Sequence, residues 1–187
     1  MEPVLTIASL PASDSRDDVL VARLADLVNE VYETAEQGLW IPGTTRTTVD
    51  EIAELIRAGE LWVARLDDEV VGCVRIRQLD ERTAEFGMLV AAPKYRGIGI
   101  GRELVRFAEK AGRSAGAAVM QLEVLVPQDW AHPSKEFLRD WYGRIGYRVV
   151  RTGDFQVAEP RLAPLLATPC DYVVFHKPLT GGKASAG

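Results

Sequence analysis

Three features are scarce in this sequence, and each scarcity argues against a class of protein. Only two of its 187 residues are cysteines, Cys73 and Cys170, and we expect both to be reduced and buried rather than joined in a disulfide. The formal net charge of −5 argues against general nucleic-acid binding, which needs a basic face. No apolar run is long enough to span a bilayer, and no basic segment followed by an apolar one marks the N-terminus as a signal peptide. We therefore expect a cytoplasmic protein that binds neither nucleic acid nor membrane.

The remaining composition is that of an ordinary globular chain, with 47% hydrophobic and 26% charged residues. A chain of this length suits one domain with a substantial core, which we place at residues 1–179. The tail, residues 180–187, is small and polar, and we expect it to be disordered.

Hydrophobic periodicity predicts a mixed α/β fold in the order β-α-α-β-β-β-α-β-α-β-β. The three strands between residues 61 and 91 follow one another closely and are predicted to form an antiparallel meander. Asp14 or Ser15 is predicted to cap the first helix. The last long helix begins at Pro133, and four of its residues are predicted to face inward: Phe137, Leu138, Trp141 and Ile145.

The most informative stretch is residues 85–101. An apolar strand ends in Ala-Ala-Pro, and glycines at alternate positions then lead into a helical pattern: Gly97, Gly99 and Gly101. The start of a helix presents unpaired backbone N–H groups and the positive end of the helix dipole. Glycines allow a bulky anion to approach that backbone, and three cations flank the loop: Lys94, Arg96 and Arg102. The pattern predicts a pyrophosphate site.

Spacing narrows the identity of the ligand. The dinucleotide fingerprint G-x-G-x-x-G fails because Arg102 or Leu104 stands where its third glycine is required, and the P-loop pattern has no match. The pattern R-x-x-G-x-G does match, as Arg96-x-x-Gly99-x-Gly101 after a Met-Leu-Val-Ala-Ala-Pro strand. This resembles the coenzyme A signature of the GNAT N-acetyltransferase superfamily. The predicted order of elements resembles that family over nearly the whole chain.

The resemblance implies a mostly antiparallel central sheet flanked by helices, in which one parallel pair of strands splays apart to hold coenzyme A. It implies acetyl coenzyme A as the acyl donor and no metal. A bulged strand would turn the backbone N–H of Leu89 toward the thioester oxygen. The coenzyme contacts expected on this basis are Leu89, Val90, Ala91, Arg96, Gly97, Ile98, Gly99, Ile100, Gly101, Arg102 and Lys135. Lys135 stands where many members carry an asparagine, and we expect it to reach a phosphate instead.

Acetylation of an amine needs a base, because an alkylamine with a pKa of about 10.4 is neutral only about once in a few thousand molecules at pH 7. The resemblance makes Glu85, four residues before Leu89, the leading candidate, although a solvated strand residue is the other interpretation. His132 is a second candidate, or else only a helix cap ahead of Pro133. The resemblance also makes Tyr142 the candidate that protonates the departing thiolate, with a place in the core as the alternative.

These residues predict direct transfer of an acetyl group from acetyl coenzyme A to the primary amine of a small molecule. The two cysteines lie away from the motif, which disfavours a ping-pong route. Two alternatives stay open: a protein or peptide acceptor, and a sensor that binds acyl coenzyme A without turnover. Side chains expected near the acceptor are Glu30, Glu33, Trp40, Arg46, Trp62, Phe155 and Tyr172. The family also makes a homodimer reasonable, and nothing in the sequence specifies it.

Overall fold

The computed structural model describes residues 4–179, in which seven strands form one mixed sheet. The strands are β1 (Leu5–Ser9), β2 (Leu61–Leu66), β3 (Glu69–Gln78), β4 (Thr83–Ala91), β5 (Val119–Pro127), β6 (Arg148–Asp154) and β7 (Cys170–Pro178). Their order in space is β1-β2-β3-β4-β5-β7-β6. Every neighbouring pair is antiparallel except β4 and β5, which are parallel. The predicted mixed sheet is confirmed, while the predicted tail, residues 180–187, lies outside the described residues.

The helices are α1 (Asp18–Ala35), α2 (Val49–Arg57), α3 (Ile100–Ser114), α4 (Pro133–Arg144) and the single turn α5 (Phe155–Ala158). The prediction that Asp14 or Ser15 caps the first helix is wrong. A short 3₁₀ segment, Ala12–Arg16, takes up those residues, and the side chain of Asp17 caps α1 instead. None of the helices within residues 4–179 has the length and hydropathy of a membrane span.

Helices pack on both faces of the sheet. On one face, α1 and α2 bury Leu24 and Ile52 in a cluster that includes Met88 of β4. On the other face, α3 and α4 pack against a cluster that contains Phe86 and Tyr142. Each large apolar side chain buried in this way contributes about 1.5–3 kcal/mol. The two clusters therefore hold β4 between them as a rigid support.

The buried face of α4 differs from the sequence prediction. Phe137, which was expected to face inward, is 62% exposed. Lys135 and Tyr142 are the buried residues of this helix, and Leu138 and Trp141 are only partly buried. The helix is therefore rotated so that a lysine and a tyrosine, rather than Phe137, point into the protein.

The parallel pair β4–β5 separates soon after it forms. Its ladder joins Thr83 to Val119 and ends where Glu85 lies opposite Gln121. Beyond that point β4 continues beside β3, and β5 continues beside β7. The predicted splay is confirmed, and it opens a gap in the middle of the sheet.

A β-bulge interrupts the ladder of β4 with β3, beyond the point where β4 parts from β5. The register with β3 passes from Cys73↔Val90 to Arg75↔Gly87, which leaves the two residues Met88 and Leu89 opposite one residue of β3. Met88 has a φ of 47°, an uncommon conformation for a residue with a side chain. A bulge frees backbone groups that a regular ladder would use.

Gly72 of β3 supplies a test of this packing. A Cβ atom added there would lie 2.6 Å from the carbonyl oxygen of Val90 and 3.1 Å from Cγ2 of Ile100. We expect Gly72→Ala to lower the free energy of unfolding by about 1–3 kcal/mol, because a backbone oxygen cannot yield without disturbing β4. Urea denaturation measures the change. Gly143→Ala is the control, since nothing lies within 4 Å of its added Cβ. Equal effects of the two substitutions would contradict this account.

Candidate active site

A cavity of about 1460 Å³ occupies the gap between β4 and β5. Its walls also include the end of α1, the loop that follows, the start of α4 and part of the segment 155–165. Ligand pockets in proteins commonly measure about 300–1,000 Å³. This cavity therefore has room for two substrates side by side.

The loop between β4 and α3 presents backbone donors without partners. Gly97 and Gly99 have φ values of 93° and 88°, which favour glycine. The backbone N–H groups of Arg96 and Ile98 already donate hydrogen bonds to carbonyl oxygens of this loop. Within residues 4–179 no acceptor is found for the backbone N–H groups of Gly97, Gly99, Ile100, Gly101 and Arg102. Five donors thus point away from the protein at the start of a helix of 15 residues.

The surroundings of this loop fit a pyrophosphate group. Cβ atoms added to its three glycines would meet nothing within 4 Å, so the backbone is open to a ligand. Of the flanking cations, Lys94 is bonded to Glu69. Arg96 and Arg102 form no ion pair with any residue of the described chain. Free donors, the helix dipole and two free guanidinium groups together make a preformed anion site.

The other expected coenzyme contacts on β4 lie beside the gap. Leu89 lines the cavity and belongs to the bulge. The side chain of Val90 is buried against α1 and α2, and that of Ile100, the first residue of α3, is buried against the sheet, so only their backbones can meet a ligand. Ala91 pairs with Gly72 of β3, on the side away from β5.

Tyr142 lines the cavity from α4 and is 5% exposed. Its ring lies against the rings of Phe86, Trp141, Tyr147 and Phe175. The hydroxyl forms no hydrogen bond within the described part of the chain, although the group is not fully enclosed. Burial raises the pKa of Tyr142 well above its ordinary value. The phenol is therefore held in its protonated form, which can donate a hydrogen bond or a proton.

Glu85 also lines the cavity, but both of its oxygens are engaged. Oε1 accepts a hydrogen bond from Nε of Arg77 at 2.9 Å, and Oε2 accepts one from Nε2 of Gln121 at 2.8 Å. Gln121 in turn contacts Nε2 of His176 at 2.8 Å. This network runs across β3, β4, β5 and β7 and fixes the position of the carboxylate.

Glu123 is a second carboxylate at the gap, and sequence reasoning missed it. It lies on β5, two residues beyond the last ladder pair, and lines the cavity. Its side chain makes no hydrogen bond within residues 4–179, and burial together with the charge of Glu85 raises its pKa. The alternation of β5 had placed Glu123 on the polar face, which was the available signal. The parting of the strands, which brings that face to a cavity, is not visible in the sequence.

Lys135 has a protein partner in the cavity wall. Its ammonium donates to Oε1 of Glu36 at 2.8 Å, and the two side chains are only 4% and 7% exposed. The other oxygen of Glu36 accepts a hydrogen bond from Nε1 of Trp40 at 2.6 Å. This placement supports a role in joining α4 to the end of α1 rather than in holding a phosphate. Neither Glu36 nor its pairing was foreseen, because the partners lie 99 residues apart.

One candidate base lies outside the cavity, and the two cysteines are buried as expected. His132 does not line the cavity, and its Nε2 contacts the carbonyl oxygen of Gln37 at 3.0 Å. Cys73 and Cys170 are free and buried. Burial raises the pKa of Cys73 to about 12 and that of Cys170 to about 11, which disfavours the thiolate that a ping-pong route requires.

The expected acceptor residues divide into two groups. Those that line the cavity are Glu33, Trp40, Arg46, Phe155 and Tyr172. Glu30 and Trp62 do not line it, and Trp62 instead packs against Phe107 with ring centroids 4.9 Å apart. No group of three or more metal-ligating side chains occurs within residues 4–179.

Comparison with protein families decides the assignment. The model of the acetyltransferase (GNAT) family matches residues 24–142, well over half of the chain. The chain belongs to the GNAT acetyltransferase family. It is therefore an acyltransferase, and its relatives use acetyl coenzyme A. Comparison with curated proteins found no match to the sequence.

Several solved structures have folds similar to that of this GNAT protein. The N-acetylglutamate synthase of Neisseria gonorrhoeae, complexed with coenzyme A and N-acetyl-glutamate, is 14% identical with a TM-score of 0.64. The match covers 97% of this chain but only 36% of that one, so the chain spans about a third of that enzyme's length.

Two further structures match over most of both chains. Aminoglycoside 6'-acetyltransferase type Ii is 23% identical with a TM-score of 0.63, and the match covers 95% of this chain and 99% of that one. The putative acetyltransferase yncA of Salmonella typhimurium, solved with acetyl-CoA, is 16% identical with a TM-score of 0.65 and 97% coverage of both chains. At these identities the likeness shows the fold alone.

The buried pair of Lys135 and Glu36 generates a prediction. We expect Lys135→Met to lower the free energy of unfolding by about 3–5 kcal/mol, because it leaves a buried carboxylate without its cation. The double variant Glu36→Gln with Lys135→Met should recover much of that loss. Urea denaturation provides the comparison.

Lys94→Met is the matched control, since its ion pair with Glu69 is exposed to solvent and screened, so its loss should change stability little. If Lys135→Met weakened coenzyme binding but left stability unchanged, that result would support the phosphate contact expected from the sequence.

Proposed function

We propose that the protein transfers the acetyl group of acetyl coenzyme A directly to the primary amine of a small molecule. The observation that carries this proposal is that one cavity is lined by Arg96 of the glycine loop, by the phenol of Tyr142 and by Glu123, whose carboxylate has no hydrogen-bond partner within residues 4–179. Acetyl coenzyme A supplies an activated thioester. The roles of the chain are to hold the two substrates, to polarise the carbonyl group and to move two protons.

Binding of the coenzyme is assigned to the loop and the bulge. The five free amides between Gly97 and Arg102 would receive the pyrophosphate, with the guanidinium groups of Arg96 and Arg102 beside them. The backbone N–H of Leu89 would polarise the thioester carbonyl, because the bulge releases it from the β3 ladder. Lys135 is left out of this set, since its charge is neutralised by Glu36.

Proton transfer is assigned to a carboxylate and a phenol. A carboxylate takes a proton from the ammonium form of the acceptor, and the neutral amine nitrogen bonds to the carbonyl carbon. As the carbon–sulfur bond breaks, Tyr142 gives its proton to the sulfur, and the second proton that the nitrogen loses returns the tyrosine to its phenol form. Glu85 was the candidate base from the sequence. The geometry favours Glu123 as the group that accepts the proton, because its oxygens are free and its pKa is raised. In that case Glu85, which is paired with Arg77, would contribute to the charge around the site without accepting the proton.

The enclosure of the cavity favours a small acceptor over a protein. Residues 39–41 after α1 pair with residues 165–167 before β7 through an isolated bridge between Trp40 and Leu166. Two backbone hydrogen bonds flank the bridge, from Ile41 N–H to Leu165 at 2.9 Å and from Ala167 N–H to Leu39 at 2.8 Å. The ring of Trp40 meets that of Phe155 edge to face. This strap, formed by residues 39–41 and 165–167, contributes Trp40, Ile41 and Leu165 to the cavity wall and so narrows the space for a peptide chain.

The first test of the proposal is release of free thiol from acetyl coenzyme A over a panel of small amines and peptides. We expect turnover with some small amines, and a fall in kcat of about tenfold or more in Tyr142→Phe, because that side chain cannot protonate the thiolate. Trp141→Phe is the control on the same helix. Turnover confined to peptides would contradict the small-molecule acceptor, and binding without turnover would favour the sensor.

The two carboxylates can be separated by their pH profiles. Because the pKa of Glu123 is raised, kcat/KM should fall as the pH drops through a value above that of an ordinary glutamate. We expect Glu123→Gln to remove this limb and to lower kcat/KM by about a hundredfold. Glu85→Gln is the matched comparison and should retain the limb. If Glu85→Gln alone removed it, Glu85 would be the base.

A further inference from the structure

The cations that line the cavity are mostly neutralised. Five of them face it: Arg46, Arg75, Arg77, Arg96 and Lys135. Arg75 pairs with Glu60 at 2.7 Å, Arg77 with Glu85 at 2.8 Å, and Lys135 with Glu36 at 2.8 Å. Within the described residues, Arg46 and Arg96 form no ion pair.

The two free guanidinium groups belong to different walls. Arg96 lies in the loop between β4 and α3, beside the anion site already described. Arg46 lies in the loop between α1 and α2, next to the strap at residues 39–41. The proposed coenzyme site therefore accounts for Arg96 and leaves Arg46 without a ligand.

Arg46 is held in position from two sides. Oδ1 of Asn29 accepts hydrogen bonds from the backbone N–H groups of Arg46 at 2.9 Å and Thr47 at 3.0 Å. Nδ2 of Asn29 donates to the carbonyl oxygen of Thr47 at 3.1 Å. The guanidinium carbon lies 4.9 Å from the centroid of the Tyr32 ring, a cation–π contact. Asn29 thus fixes the backbone at Arg46 and Tyr32 orients the guanidinium, so an anion can bind at a low cost in conformational entropy.

The nearby carboxylates already have other partners. The negative charges of Glu36 and Glu51 stabilise the charged form of Arg46 and help to raise its pKa. Glu36 accepts hydrogen bonds from Lys135 and Trp40, and Glu51 accepts one from Oγ1 of Thr47 at 2.7 Å. Neither carboxylate lies within 4 Å of the guanidinium, so no described carboxylate occupies its planar fork of donors, and its contact within the chain is with the side chain of Tyr32.

We infer that Arg46 binds a carboxylate of the acceptor, so that the acceptor is an amine that also carries a carboxylate group. The guanidinium fork matches the two oxygens of a carboxylate. The negative field of Glu36 and Glu51 favours a singly charged group over a phosphate dianion. Glu123, on the other wall, would face the ammonium end of the same molecule. This inference rests on the proposed function.

Matched pairs of amines with and without a carboxylate test the inference: phenylalanine and phenethylamine, arginine and agmatine, and 4-aminobutyrate and propylamine. We expect the carboxylate-bearing member of at least one pair to have the higher kcat/KM. Arg46→Gln should lower kcat/KM for that member by about tenfold to a hundredfold and change the other by less than about threefold. Arg46→Lys keeps the charge but loses the planar fork of donors. Its kcat/KM for the carboxylate-bearing member should lie between those of the unsubstituted protein and Arg46→Gln.

Arg57→Gln is the matched control, because it removes the same charge from an exposed position outside the cavity. Melting with acetyl coenzyme A checks that each variant is folded and binds the coenzyme. A preference for the decarboxylated amine in every pair would overturn the inference. Equal losses for both members in Arg46→Gln would overturn it as well.

A binding experiment separates this inference from the proposed function. The coenzyme A complex is melted with N-acetylphenylalanine and with N-acetylphenethylamine, which needs no turnover. Stabilisation by the first compound alone, lost in Arg46→Gln, supports the inference even if no amine is acetylated. If small amines without a carboxylate are acetylated and no carboxylate binds, the proposed function stands and the inference fails.

Discussion

The site depends on one constraint, the early separation of β4 from β5. Their ladder ends where Glu85 lies opposite Gln121, and the bulge at Met88 and Leu89 turns β4 away from a regular course. Beyond that point β4 stays paired with β3 and β5 stays paired with β7, and these two ladders hold the strands on opposite sides of the gap. The cavity, the free backbone of the bulge and the exposure of Glu123 all follow from this separation. If β4 and β5 stayed paired beyond Glu85 and Gln121, the cavity, the free backbone of the bulge and the exposure of Glu123 would all be lost.

Charge pairing then decides which groups in the cavity are available for chemistry. Buried charges need partners, and the wall satisfies most of them internally, as Lys135 does with Glu36 and Arg77 with Glu85. The lining groups left without an ion pair within residues 4–179 include Arg96 at the glycine loop, Arg46 in the loop after α1, and three glutamates: Glu33, Glu123 and Glu159. The proposals above assign anions to the two arginines and the ammonium group to Glu123.

The sequence predicted the features that depend on neighbouring residues and missed those that depend on contacts between distant segments. The glycine loop was predictable because its signal lies within a few adjacent residues, and the strands from Leu61 to Ala91 were predictable from alternation. The cap at Asp17 was missed because an extra 3₁₀ turn precedes α1. The partner of Lys135 and the position of Glu123 depend on contacts between distant segments. A single sequence carries no local signal for either.

Hydrogen exchange measured by mass spectrometry, with and without acetyl coenzyme A, tests the central claim most directly. The claim is that the coenzyme lies in the gap with its pyrophosphate on the free amides of the loop. Amides in residues 97–102 and 88–91 should exchange more slowly with the coenzyme bound, because unpaired donors gain acceptors, while those of the edge strand β6 should not change. Protection confined to other segments, or absent at saturating coenzyme, would contradict the account.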